Sequence, residues 1–176
     1  MAIDAVFMKV PDIEGTSTLV GSNPGDDGSH EKWIPVISCS FDFQRDEADV
    51  SDPKAGSDKK EMVPTTIVQP ITVERVADVT SAPLLSWLAA KPEDPDRKKD
   101  EVLIDYCVRS GKYFLRYKLS GVELVSCALS YAEPHDAKET LTLTYDRIAI
   151  FQRSINSVGE VITTERNEAK YTVNEE

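Results

Sequence analysis

Between residues 102 and 151 the chain carries four closely spaced segments with the two-residue period of β-strands, and this feature most constrains the fold. They cover 102–108, 113–119, 122–132 and 141–151, with Ser110-Gly111 and Ser120-Gly121 in two of the short connections. In the second segment Tyr113, Leu115, Tyr117 and Leu119 alternate with Phe114, Arg116 and Lys118. In the fourth, Leu141, Leu143 and Tyr145 alternate with Thr142, Thr144 and Asp146. Parallel strands need crossovers of a dozen or more residues, whereas connections this short join antiparallel hairpins. Each strand is predicted to give one face to a core and the other to polar surroundings.

The alternation stops at the end of the fourth segment. Ile148, Ala149, Ile150 and Phe151 are apolar on both parities, so both faces need cover, from a bulge, a helix or a neighbouring subunit. Ile148, Ile150 and Phe151 are therefore candidate self-association residues.

Upstream, residues 3–10 read as a strand stopped by Pro11, and 12–29 as a Gly-, Ser- and Asp-rich loop. The run WIPVISCSFDF at 33–43 has apolar residues on both parities and reads as one strand covered on both faces for part of its length. Residues 44–66 are charged and lack either period, so they read as a long exposed loop that is either slack or a contact arm ordered on assembly, with Asp46, Glu47, Lys54, Lys59 and Lys60 as the candidate charged contacts of such an arm. Strand character resumes at 67–76, where Pro70 marks an edge or a bulge. One short helix follows: Ser81 is its predicted cap, Pro83 suits the first turn, Leu84, Trp87 and Leu88 share a face, and Pro92 and Pro95 end it. A last strand is predicted over 159–164. Seven or eight strands and one helix define a mainly β, antiparallel barrel or sandwich, read as one domain over residues 1–176.

The net charge of -11 repels phosphate backbones, so nucleic acid is not an expected partner. Like charge also keeps copies apart, so self-association has to come from local surfaces. No stretch of about 18 apolar residues occurs, and the opening MAIDAVFMKVPDIEG lacks a basic leader, so the expectation is a chain made in the cytoplasm with no membrane insertion. Cys39, Cys107 and Cys127 all lie in apolar runs and read as buried thiols of a reducing compartment.

Catalytic signatures are missing. His30 and His135 have no metal-ligand or nucleophile spacing and read as surface or loop histidines; Trp33 and Trp87 read as packing residues. The acidic pairs Asp26-Asp27, Glu93-Asp94 and Glu175-Glu176 lie in loop-like sequence, where no pocket shifts their pKa values, and residues 12–27 lack the alternate ligands of a calcium loop. No catalytic, cofactor-binding or metal-binding residue is assigned.

Four stretches taken in order resemble the Hcp family, the tube proteins of bacterial type VI secretion: AIDAVFMKVPDIEG, SHEKWIPVISCSF, ITVERVADVTSAPLLSWLA, and the pair YKLSGVELVSCALS and ETLTLTYDRIAIFQ. The resemblance implies a two-sheet antiparallel β-barrel with one short α-helix at its side and a long exposed loop. It further implies homohexameric rings stacked into a hollow tube, a VgrG-type spike at the tip, a contractile sheath, small effector proteins as cargo, and export through the apparatus without a signal peptide. The segments 44–66 and 91–101 depart from the family pattern. The alternatives are a cytoplasmic effector-binding adaptor and a small β-barrel hydrolase using a carboxylate pair.

Overall fold

The computed structural model describes residues 5–20, 29–45, 66–108, 110–131 and 137–172. Their strands are β1 (Ala5–Lys9), β2 (Ile34–Val36), β3 (Ser38–Ser40), β4 (Phe43–Arg45), β5 (Thr66–Val68), β6 (Ile71–Val76), β7 (Val102–Cys107), β8 (Tyr113–Ser120), β9 (Glu123–Tyr131), β10 (Ala137–Thr144), β11 (Arg147–Ile155) and β12 (Val161–Thr172). Among the described residues one α-helix, α1 (Ser81–Leu88), follows β6, and a 3-10 turn covers Pro95–Arg97. A six-stranded sheet has the order β12-β11-β8-β7-β1-β2, a four-stranded sheet the order β3-β6-β10-β9, and β4 pairs with β5 alone. Every strand pairing is antiparallel, as the hairpin series predicts.

The two sheets bury the faces that the alternation marks. Met8, Ile34, Ile71, Val73, Ile104, Leu119, Leu141 and Leu143 are fully buried in one cluster, and Leu84 and Trp87 close it from α1. Burying each such side chain contributes about 1.5–3 kcal/mol before chain entropy is counted. The helix packs against β9.

Segment 33–43 is not one strand. The chain leaves the six-stranded sheet at Val36 and joins the four-stranded sheet at Ser38, with Ile37 between them donating its N–H to Glu74 O at 2.8 Å. Apolar residues on both parities therefore reflect a change of sheet and not a strand buried on both sides.

The predicted strand over 141–151 is likewise two strands, β10 and β11, in different sheets. Its break is at Tyr145-Asp146. The Tyr145 ring is buried in the core and its hydroxyl donates to Gln69 O at 3.2 Å, while Asp146 N–H donates to Ser120 O at 3.0 Å. Beside it Gly121 has φ +63, and a Cβ there would lie 2.1 Å from the Asp146 carboxylate. The β8-β9 and β10-β11 corners thus lock together, which requires glycine at 121.

Three boundaries also shift. Gln44 and Thr66, the ends of the predicted loop, belong to the β4-β5 ladder. The last strand runs from Val161 to Thr172, beyond the predicted 159–164. The cap of α1 is Thr80 and not Ser81; its hydroxyl is spent on Asp78, at 2.6 Å, and gives the helix no side-chain cap.

Two charged residues sit at core parity. Arg75 on β6 and Glu139 on β10 occupy the positions after Ile71 and Val73 and before Leu141 and Leu143, and both are buried. The Arg75 guanidinium donates to Asp78 Oδ1 and Thr80 Oγ1, and its Nε lies 3.6 Å from Glu139 Oε2, an ion pair without hydrogen-bond contact. This cluster ties the start of α1 to the sheet beneath it.

Candidate functional site

The surfaces of the two sheets differ, and register defines the difference. On the outer face of the six-stranded sheet, Phe7, Asp105, Arg116, Phe151 and Glu168 form one line across β1, β7, β8, β11 and β12. The next line is Lys9, Leu103, Lys118, Ala149 and Lys170, and beyond it lie Ser120 and Arg147.

Part of this face is covered. Segments 15–19 and 30–33 pair through Gly15 N to Lys32 O (2.6 Å), Ser17 N to Trp33 O (3.0 Å), Lys32 N to Ser17 O (2.8 Å) and His30 N to Leu19 O (2.9 Å). A Cβ on Gly15 would lie 2.2 Å from the Trp33 carbonyl, so the close approach of these segments requires the glycine that ends the PDIEG stretch. Under the cover Phe7, Trp33, Cys107, Tyr113 and Phe151 form a second buried cluster.

A polar clasp holds the cover down. Arg116 donates from Nε and Nη2 to the two carboxylate oxygens of Asp105, each at 2.6 Å, and His30 Nε2 lies 2.8 Å from Asp105 Oδ2. The His30 ring stacks on Phe7 at 4.8 Å and meets Trp33 edge-on at 4.6 Å. Tyr113 lies between the guanidinium groups of Arg116 and Arg153, each 3.9 Å from its centroid. His30 lies in a loop, as one of the two expected positions has it, but is fully buried and not on the surface.

Cys107, His30 and Asp105 stand together, yet they do not make a nucleophile, base and orienting acid. Such a triad uses one imidazole nitrogen toward the nucleophile and the other toward the acid. Here Cys107 Sγ, at 3.6 Å, and Asp105 Oδ2 both face Nε2, and the buried Nδ1 has no hydrogen-bond partner. Burial, with the adjacent Asp105 charge, pushes the Cys107 thiol up to about 12, so it stays a thiol. Cys39 and Cys127, half-buried, are also raised by burial. Native Cys107 is expected to react with a thiol reagent at pH 8 about a hundredfold or more slowly than in urea, as its thiolate fraction dictates. Equal rates in the two states would contradict this environment.

The other half of the face is open. Lys118, Ser120, Arg147, Ile148, Ala149, Phe151, Glu168 and Lys170 line a cleft of about 580 Å³. Lys118 pairs with Glu101 at 3.3 Å and Lys170 with Glu168 at 2.8 Å. By contrast, the outer face of the four-stranded sheet is low and hydroxyl-rich. Ser40, Thr72, Thr142 and Ser126 form one line, and Ser38, Glu74, Thr140 and Ala128 the next, with the Lys138–Glu74 pair at 3.1 Å.

These positions locate the residues picked from sequence. Ile148 is 1% exposed and Ile150 half-buried, both on the core side of β11, while Ala149 and Phe151 face outward into the second cluster and the cleft. The doubly apolar run thus serves two clusters within one chain. Asp46, Glu47, Lys54, Lys59, Lys60, His135 and the pairs Asp26-Asp27 and Glu175-Glu176 lie outside the described residues. Glu93 and Asp94 are exposed on the turn after α1. The clasp residues Asp105 and Arg116 were not singled out from sequence; the signal was an acid and a base facing each other on adjacent apolar strands.

Among the described residues no group of three or more His, Cys, Asp or Glu could hold a metal ion, and no helix is long and apolar enough to cross a membrane. The described residues thus form a two-sheet antiparallel fold whose buried Cys107, His30 and Asp105 lack the geometry of a catalytic triad. The profile of the family described as type VI secretion system effector, Hcp, matches residues 7–151. The chain belongs to the Hcp family, the tube proteins of type VI secretion.

Solved structures agree on the fold. A type six secretion system protein superposes with a TM-score of 0.73 at 16% identity, covering 96% of this chain and 95% of the other. Hcp1 from Salmonella typhimurium gives 0.64 at 15% identity, with 96% and 94% covered. A type VI secretion system effector from Yersinia pestis gives 0.65 at 17% identity, with 96% and 99% covered. No curated protein matches the sequence.

Proposed function

We propose that this chain is the ring-forming subunit of a type VI inner tube, in which six copies close into a ring and rings stack into a hollow conduit for small effector proteins. The observation that carries the reading is the family match over residues 7–151. The two sheet faces support it. The outer face of β3-β6-β10-β9, rich in short hydroxyl side chains and with Lys138 and Glu74 neutralising each other, suits a conduit wall, because it offers a passing protein little net charge to hold it. The cleft at Ala149 and Phe151, with its charged rim, suits contact between copies.

Within this reading residues 1–176 act as one domain: the match covers 7–151, and β11 and β12 extend the same sheet. The work of the chain is mechanical and not catalytic. It is made in the cytoplasm, leaves through the apparatus without a signal peptide, and meets a VgrG-type spike and the contractile sheath there. The charged residues Asp46, Glu47, Lys54, Lys59 and Lys60 add contacts between copies.

Light scattering of the purified chain across a concentration and salt series tests this. A particle of about six chain masses at micromolar concentration is expected, while a one-chain mass under every condition would refute it.

A further inference from the structure

We infer that the cleft on the outer face of β8, β11 and β12 receives the acidic turn 93–101 of a second copy of this chain. The inference rests on the ring-forming reading and adds which surfaces meet.

The cleft combines an apolar floor, Ala149 and Phe151, with a basic rim, Lys118, Arg147 and Lys170. Lys9 lies on the same cross-strand line as Lys118 and Lys170. Adjacent strands stand about 4.8 Å apart, so lysines two strands apart recur about every 10 Å along that line. Among the described residues Glu101 and Glu168 are the acids on the rim, Glu101 pairing with Lys118 and Glu168 with Lys170, so the bases Lys118, Arg147 and Lys170 outnumber them by one. In a chain with a net charge of -11 such a surface has its natural complement in the chain itself.

The turn 93–101 supplies that complement. It contains five acids, of which Glu101 is engaged at its own copy's rim, and three bases, which point back into their own copy. Arg97 donates to Glu123 at 2.8 Å, Lys98 pairs with Asp146 at 3.2 Å, and Lys99 pairs with Asp12 at 3.3 Å. Glu93, Asp94 and Asp100 remain exposed, and neither Glu93 nor Asp100 makes an ion pair with a described residue. Pro92 and Pro95 are exposed beside them and offer apolar rings to the cleft floor.

The turn is also held in shape before it meets anything. Trp87 Nε1 donates to Arg97 O at 2.7 Å, Asp94 accepts the Asp96 N–H at 2.9 Å, and Lys99 exchanges two backbone hydrogen bonds with Val122, each 2.8 Å. A segment ordered in the free chain loses little conformational entropy on docking.

Charge exchange tests the pairing. In Arg147→Glu/Lys170→Glu, assembly measured by light scattering is expected to need at least about tenfold more protein, with melting temperature unchanged, and Glu93→Lys/Asp100→Lys is expected to show the same defect. Combining the four substitutions is expected to restore assembly. A cleft variant that assembles like the parent overturns the inference, and so does a defect that the combination leaves unrepaired. A parent chain that stays monomeric removes the ring reading and this contact together, whereas a parent that assembles beside an indifferent cleft variant removes this contact alone.

Discussion

Replacing Asp105 with alanine is expected to lower stability by about 3–5 kcal/mol, because it removes the buried carboxylate of an ion pair with Arg116 that also bonds His30. The side chain of Asp105 is fully buried, and its two oxygens take the bidentate Arg116 bond and the His30 bond. Without the carboxylate, the guanidinium over Tyr113 loses its bidentate bond and His30 Nε2 loses its carboxylate partner, while Nδ1 already has none. The loss is directional as well as large. Segment 29–33 is held over Phe7 and Cys107 by this clasp, so the variant is expected to uncover Cys107 to thiol reagents before global unfolding. Urea denaturation followed by tryptophan fluorescence measures the first effect, since Trp33 lies in the cover and Trp87 on the buried face of α1. A loss below about 1 kcal/mol would mean that the clasp is not what holds the cover.

Arg75→Ala is expected to have an effect of the same order, about 3–5 kcal/mol, for a different reason. Of its two acidic partners, Asp78 is partly exposed and can turn to water, but Glu139 is nearly sealed in the sheet interior. The unpaired Glu139 carboxylate sets the penalty. It follows that Arg75→Met with Glu139→Leu, which removes both charges and fills the space, should recover most of the loss. If the double variant were as unstable as the single one, the stabilising contact would instead be the Arg75 link to Asp78 and Thr80 at the start of α1.

That link also sets an acid response. Burial pushes the Asp78 carboxyl up, but hydrogen bonds from Thr80 and Thr16 and the Arg75 charge outweigh it and hold the group below its ordinary value. A carboxyl lowered by folding stabilises the native state above its unfolded pKa, about 3.9, and the contribution fades as pH falls through the folded value.

The legible parts of the fold were those where one face of a strand is buried and the other is not. Residues 102–119 show this: Val102, Ile104 and Leu119 fall at core parity and are fully buried. Corners between sheets were hidden, because Tyr145-Asp146 and Ile37 lack the Gly or Pro that marks most turns; the first corner is fixed by a partner, Gly121, in another hairpin. Charges at core parity were readable in principle. Arg75 follows Ile71 and Val73 at a spacing of two, and Glu139 precedes Leu141 in the same way. Their partners lie far apart in sequence, so a single chain read in order gives no means of joining them. His30 was hidden for the same reason, its burial depending on Phe7 and Asp105 from two strands far apart in sequence. The order of family-like segments carried the functional class, which neither composition nor periodicity supplies.

The claim that this Hcp-family chain builds a tube is tested most directly by negative-stain electron microscopy of the purified protein. Ring-shaped particles with six-fold symmetry and an open centre are the predicted result. Particles of single-chain size at every concentration and salt condition would contradict it.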